Sequence, residues 1–328
     1  MSVTSLSESE VTAANRSRQI PSPVLEFDRV TKRYGRTTVV DDLSFTVQPG
    51  RVTGFLGPNG SGKSTTIKIL LGLASADKGR ATIGGRFYRE FSDPTGTVGV
   101  ILEPNAFHPG RSGRNHLRIL AEAAGIAPSR VDGMLDDVGL SGSAADRRVG
   151  AYSLGMRQRL SLAAALLGDP PVLVLDEPAN GLDPQGIHTL RDLLRARAAG
   201  GDTVLVSSHI LAEMELLADD LVVIDKGRLV ASGPMADLQQ IANVVRTPDP
   251  NTLQRALESS GGMVERADDE TLIVRGLSLD EIGDQAFNHQ VRVHELSPKV
   301  GSLEELFLSW TAGSRSNGED NEKAKVLS

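Results

Sequence analysis

The chain has no cysteine, and only 4% of its residues are aromatic, with one Trp and three Tyr among 328 positions. The first absence removes disulfides, thiolate metal sites and cysteine nucleophiles together, and is compatible with a reducing compartment. The second gives any exposed aromatic extra weight as a ligand contact. No run approaches the roughly 18 apolar residues that a membrane-spanning helix requires. The nearest stretch, 160-LSLAAALLG-168, is stopped by 169-DPP-171. The segment 1-MSVTSLSESEVTAANRSRQIPSP-23 lacks the apolar core of a secretory signal, so a cytoplasmic location is expected. Basic excess is missing as well: the net charge of -7 opposes a general nucleic-acid binder, and no nucleic-acid partner is expected.

What remains is ordinary for a globular protein, with 39% hydrophobic and 23% charged residues, enough for one large or two modest domains. Residues 1–23 and 313–328 read as polar or charged tails. Short β-branched runs, 24-VLEFDRV-30, 38-TVV-40, 43-LSFTV-47 and 52-VTGFL-56, predict strands. Helical periodicity follows in 64-STTIKILLGL-73, closed by Gly72, and dominates from about 104 to 168. The continuous apolar runs 172-VLVLD-176 and 203-TVLVS-207, with helix 186–199 between them, predict a buried parallel sheet. A hairpin turning at Lys226-Gly227 closes this part. From about 239 to 312 the order strand, helix, strand, turn, strand and a further αβ unit, ending in 302-SLEELFLSW-310, predicts a small α+β appendage.

The chemistry concentrates in 57-GPNGSGKST-65, which follows the apolar strand 52–56 and opens a helix. This is the spacing of a phosphate loop. Gly57, Pro58, Asn59, Gly60, Ser61 and Gly62 allow backbone N–H groups to curl around phosphate oxygens at the positive end of a helix. Lys63 brings a point charge to the β/γ-phosphates, and the hydroxyl of Ser64, with Thr65 beside it, suits Mg²⁺. A second element, Asp176-Glu177, ends the strand 172–176. Alone, such a pair is commonly a solvated turn. Beside a phosphate loop it becomes the expected site for Mg²⁺ (Asp176) and for polarising an attacking water (Glu177). His209 ends the next strand and suits a polar contact with the γ-phosphate. His108, His116, His188, His289 and His294 read as structural.

With 152-YSLGMRQR-159 added, the residues resemble one family, the ATP-binding subunits of ABC transporters. Ser153 and Gly155 match the family's signature sequence, while Leu154 and Met156 depart from it. Tyr34 matches the aromatic that stacks on adenine, Asp183 in 180-NGLD-183 the loop after the catalytic Glu, and His209 the switch histidine. The resemblance spans roughly residues 24–235. It implies an α/β phosphate-loop NTPase of the ABC type over 24–238, with a helical subdomain (about 104–168), an antiparallel β subdomain and the C-terminal appendage. It also implies ATP and Mg²⁺ as ligands, and two copies packed head to tail, so that Ser153 and Gly155 of one complete the site of the other. The family usually has Gln where Glu103 stands in 98-VGVILEP-104. A Glu there can ligate Mg²⁺ but cannot donate when ionised, so slow turnover is expected. The signature region, 110-GRSGRNHL-117 and the appendage look most like exporter ATPases for drugs or antibiotics. Such ATPases sit on the cytoplasmic face of the cell membrane beneath a separate permease. An importer ATPase and a soluble ABC ATPase acting on ribosomes or DNA are the alternatives.

Overall fold

The computed structural model describes residues 22–102, 107–238 and 241–300. Glu103, Pro104 and the stretch 302–310 lie outside the described residues. The chain divides into two compact units, one up to Pro234 and one from Met235.

The first unit opens with strands β1 (Leu25–Tyr34) and β2 (Thr37–Val47), joined by β4 (Lys78–Ile83) into an antiparallel sheet ordered β2-β1-β4. The two runs 38–40 and 43–47 are one strand. Between the pairs Val30↔Leu43 and Lys32↔Val40, β2 carries one residue more than β1, and Asp42 takes a φ of 52°. The polar Asp41-Asp42 step is therefore a bulge within a strand, where the sequence pattern read as an interruption.

The second sheet is ordered β5-β6-β7-β3-β8-β9. It is built from β3 (Arg51–Leu56), β5 (Val98–Ile101), β6 (Val172–Asp176), β7 (Thr203–Ser208), β8 (Asp220–Asp225) and β9 (Arg228–Pro234). The first five strands run parallel, and β9 returns antiparallel through the Lys226-Gly227 turn. Every residue of β6 and β7 is buried, which is why both strands read as unbroken apolar runs. Phe27 stacks on Phe45 at 4.2 Å between ring centroids, and Phe45 meets Phe55 of β3 at 5.2 Å, so the two sheets share one core.

Helix α1 (Lys63–Leu70) leaves the end of β3 through the glycine loop. It stops three residues earlier than its periodicity predicts. Leu73 N–H returns to Lys68 O and Gly72 N–H to Ile69 O, with Gly72 at φ 68°, a left-handed closure that glycine adopts without strain. The helical region comprises α2 (Gly113–Ala123), α3 (Ser129–Asp137), α4 (Ser143–Asp146) and α5 (Leu154–Leu166). Helix α6 (Pro184–Ala199) connects β6 to β7, and the short α7 (Leu211–Leu217), which the sequence pattern did not reveal, connects β7 to β8.

After the short α8 (Met235–Leu238), the second unit runs β10 (Ile241–Arg246), α9 (Pro250–Ser259), β11 (Met263–Arg266), β12 (Thr271–Arg275), α10 (Leu279–Asn288) and β13 (Glu295–Val300). The sheet order β11-β12-β10-β13, antiparallel throughout, is the ferredoxin-like βαββαβ arrangement. Val245, Leu253, Leu257, Leu272, Val274 and Ile282 form its own core.

Candidate nucleotide site

The site lies at the carboxyl ends of β3, β6 and β7, where open α/β sheets collect ligand chemistry. The glycine loop is shaped by close approach. A Cβ on Gly62 (φ 107°) would lie 2.7 Å from Val39 O, and one on Gly57 would overlap Ile224 O. Behind the loop stands the hairpin turn: Gly227 N–H donates to Ser61 O at 2.9 Å, and Asp41 N–H to Gly227 O at 2.9 Å. The Gly62 N-cap of α1 makes no side-chain hydrogen bond, so the first-turn N–H groups remain available to an anion.

Lys63 is buried inside the loop. Its Nζ donates to Gly57 O at 2.6 Å and Pro58 O at 3.3 Å, and stands 3.8 Å from Glu177 Oε1. Burial pushes its ammonium below the usual lysine range, opposed by the charges of Glu177 and Asp176. Glu177 Oε2 is in turn 2.9 Å from His209 Nδ1. The structure thus joins Lys63, Glu177 and His209 in one chain of polar contacts. Asp176, buried at the end of β6, receives the hydroxyl of Ser207 on Oδ1. Ser64 is exposed in the first turn of α1. Tyr34, 53% exposed at the end of β1, carries Lys32 Nζ 5.2 Å from its ring centroid.

The signature segment occupies the start of α5. Ser153 is its N-cap, accepting from Met156 N–H at 3.2 Å, which leaves the hydroxyl proton free to be donated. Leu154, the departure from the family pattern, lies on Gly181: a Cβ there would overlap its side chain. A Cβ on Gly155 would lie 2.8 Å from Gly181 O. Two further ties fasten α5 to the segment after Glu177. Gln158 Nε2 donates to Pro178 O at 2.7 Å, and Arg159 pairs at 3.0 Å with Asp183, the N-cap of α6. Thus 178–183 is a braced connector.

Several of these side chains escaped sequence reasoning. Ser207 and Ser208 lay at the end of a strand read for its apolar run, Gln158 inside a helix, and Glu213 in a segment with no helical signal. The signal for the serines was available: two hydroxyls at the end of a strand buried on both faces need partners. Ser208 Oγ donates to Glu213 Oε2 at 3.0 Å and accepts from Ile210 N–H at 2.9 Å, bracketing His209. Among the other histidines, His116 packs edge-on against Phe107 at 4.8 Å, and burial pushes its pKa down.

Burial also pushes the Glu213 carboxyl above the usual glutamate range, with the Glu177 charge adding to it against the Ser208 hydrogen bond. An acid raised in the fold binds protons more tightly there than in the unfolded chain. The contribution of Glu213 to stability is therefore greatest below the ordinary glutamate pKa and is lost as pH rises through the raised value. Glu213→Gln, which does not titrate, is expected to melt on the order of 1–3 °C higher than the parent at pH 8. That gain should shrink in melts near pH 4.5.

Residues 40–180 match the family model described as ABC transporter, and residues 243–304 one described as a domain of unknown function, DUF8746. The uncharacterised ABC transporter ATP-binding protein YhcH of Bacillus subtilis (strain 168) is 37% identical over 299 residues, covering 88% of this chain and 96% of that protein. The bacitracin transport ATP-binding protein BcrA of Enterococcus faecalis is 34% identical over 88% of this chain and 97% of its own length. The Nod factor export ATP-binding protein I of Paraburkholderia xenovorans (strain LB400) is 40% identical over 65% of this chain and 72% of its own. Among solved structures, an ATP-binding subunit of an ABC transporter aligns over 80% of this chain and 99% of its own, with a TM-score of 0.61 and 28% identity. Similarity along nearly the whole length of such relatives, over a phosphate loop joined to a Glu-His pair, places the chain in their family: it belongs to the ATP-binding proteins of ABC transporters and is an ATPase of that kind.

Proposed function

We propose that this chain powers an exporter for a drug, an antibiotic or a similar amphiphile. Two copies close on ATP beneath a separate permease, and the protein is peripheral to the cytoplasmic face of the membrane. The observation that carries the reading is the exposed N-terminus of α5, where Ser153 caps the helix and Ser153 and Leu154 both face solvent. In a head-to-tail pair, the Ser153 hydroxyl and the backbone at Leu154, Gly155 and Met156 would meet the γ-phosphate cradled by the other copy's loop. A relative matched along 97% of its length is named for bacitracin transport and another for Nod factor export, which supports the export direction. Among the described residues no helix is long and apolar enough to cross a membrane, so the passage for substrate is assigned to the permease.

Within each site the residues divide the work. Tyr34 offers a stacking face for adenine. The loop N–H groups and Lys63 neutralise the β- and γ-phosphates. Glu177 orients and polarises the attacking water, and His209, bonded to Glu177, holds that carboxylate toward the γ-phosphate. Asp183 fixes the start of α6 and the braced connector before it. The Ser64 hydroxyl and the Asp176 carboxylate are hard oxygen ligands that suit Mg²⁺, which would neutralise phosphate charge in the ATP complex. Among the described residues no group of three His, Asp or Glu could hold a metal by itself, so nucleotide oxygens are needed to complete the set. Glu103 is the third proposed oxygen ligand.

The test is co-purification. Expressed in its native host, the chain should co-fractionate with membranes, and its ATPase rate should rise in the presence of the polytopic protein that co-purifies with it. A chain that remains with the ribosomal or free fraction, with unchanged turnover, would overturn the exporter reading in favour of a soluble ABC ATPase.

A further inference from the structure

Ser207 is fully buried near the end of β7, paired in parallel register with Asp176 of β6. A hydroxyl in a strand covered on both faces destabilises the fold unless it is hydrogen-bonded. This one is used in both directions. Its Oγ donates to Asp176 Oδ1 and accepts from Glu177 N–H at 3.0 Å. The backbone oxygen of the same serine also receives Glu177 N–H, at 3.2 Å. One residue therefore grips the side chain of Asp176 and the backbone of Glu177.

The grip has a conformational purpose. Glu177 has a φ of 52°, in the left-handed region, where the Cβ of a non-glycine residue is strained. Such a conformation persists only when neighbours over-determine it. Here the two acceptors of Ser207 fix the N–H of the residue itself, and the turn it makes sends Oε1 to 3.8 Å from Lys63 Nζ and Oε2 to 2.9 Å from His209 Nδ1. The donated proton meanwhile occupies one oxygen of Asp176 and so orients the other.

We infer that Ser207 is a positioning residue for ATP hydrolysis, setting the metal-side carboxylate Asp176 and the water-side carboxylate Glu177 in register with each other. The inference rests on the roles proposed above for those two carboxylates. It assigns Ser207 no contact with ATP.

The test compares Ser207→Ala and Ser207→Thr in the full-length protein, alone and with Glu177→Gln. Ser207→Ala should lower kcat about 10–100-fold while KM for ATP stays within roughly threefold, the signature of lost geometry with binding kept. Ser207→Thr, which retains the hydroxyl, should recover most of the rate. In the Glu177→Gln background Ser207→Ala should change the residual rate by less than about twofold, since the two act as a unit. Two readouts do not depend on turnover. Amide exchange in the peptide spanning Glu177 should quicken by on the order of tenfold in Ser207→Ala. The Mg²⁺ concentration needed for half-maximal binding of a fluorescent ATP analogue should rise.

Unchanged kcat with unchanged exchange at Glu177 would overturn the inference. So would an equal loss with and without Glu177→Gln, which marks a merely structural serine. If Glu177→Gln alone keeps the parental rate, the assignment of the base falls, and the exchange and Mg²⁺ measurements still decide whether Ser207 sets the two carboxylates.

Discussion

Replacing Glu177 by Gln is expected to lower the ATPase rate by about 10²–10⁴-fold, the range attributed to a positioned general base. The amide is isosteric and can keep the contact with His209, now 2.9 Å from Oε2, so the fold and ATP binding should survive. What it cannot do is draw a proton from water. Removal of the charge also relieves repulsion between the carboxylate and the incoming phosphates. The variant should therefore collect as an ATP-bound dimer, visible as a doubled mass by light scattering with Mg²⁺ and ATP and as monomer without them. A variant that hydrolyses at the parental rate, or that stays monomeric with saturating ATP, would remove Glu177 from the base role or the paired arrangement from this protein.

The second large effect belongs to Lys63. Its Nζ is tethered to Gly57 O and Pro58 O, so the charge is already inside the loop that phosphates would enter. A hydrogen bond from a charged donor contributes about 1.5–3 kcal/mol. Lys63→Met should thus weaken ATP binding roughly 10–100-fold in isothermal titration. Folding should respond much less, because the loss of two carbonyl contacts is offset by removing a charge that burial disfavours. Thermal melts without nucleotide should differ by no more than about 3 °C. If Lys63→Met binds ATP as tightly as the parent, the phosphates are held elsewhere.

How much of this was legible depended on what each residue had to satisfy. The parallel strands β3, β6 and β7 announced themselves, because a strand covered on both faces has to be apolar along its length. The phosphate loop was equally plain, since close backbone approach permits only small residues there. In the second unit, Asp249 before α9 and Ser278 before α10 cap their helices, a local signal that a sequence can carry. Strand β2 was misread as two because a bulge uses the same residue types as a turn, and Asp41-Asp42 carries no sign of which it is. Ser207, Glu213 and Gln158 were hidden for another reason. Their importance lies in a partner on a different element, and no local periodicity reports a contact between β7 and the end of β6. Leu154 looked like damage to a motif, yet it fills the space above Gly181 that a larger residue there would deny it.

The bond from the hairpin turn to the phosphate loop has a thermodynamic consequence. Gly227 N–H holds Ser61 O from behind, and Val39 O crowds the loop at Gly62. A loop shaped by its own protein does not have to be ordered by the ligand, and ordering flexible backbone is among the larger entropic costs of binding. Free energy from the phosphates is then not consumed in forming their cradle. It stays available for whatever larger motion follows, and in a motor the useful work can come only from that remainder.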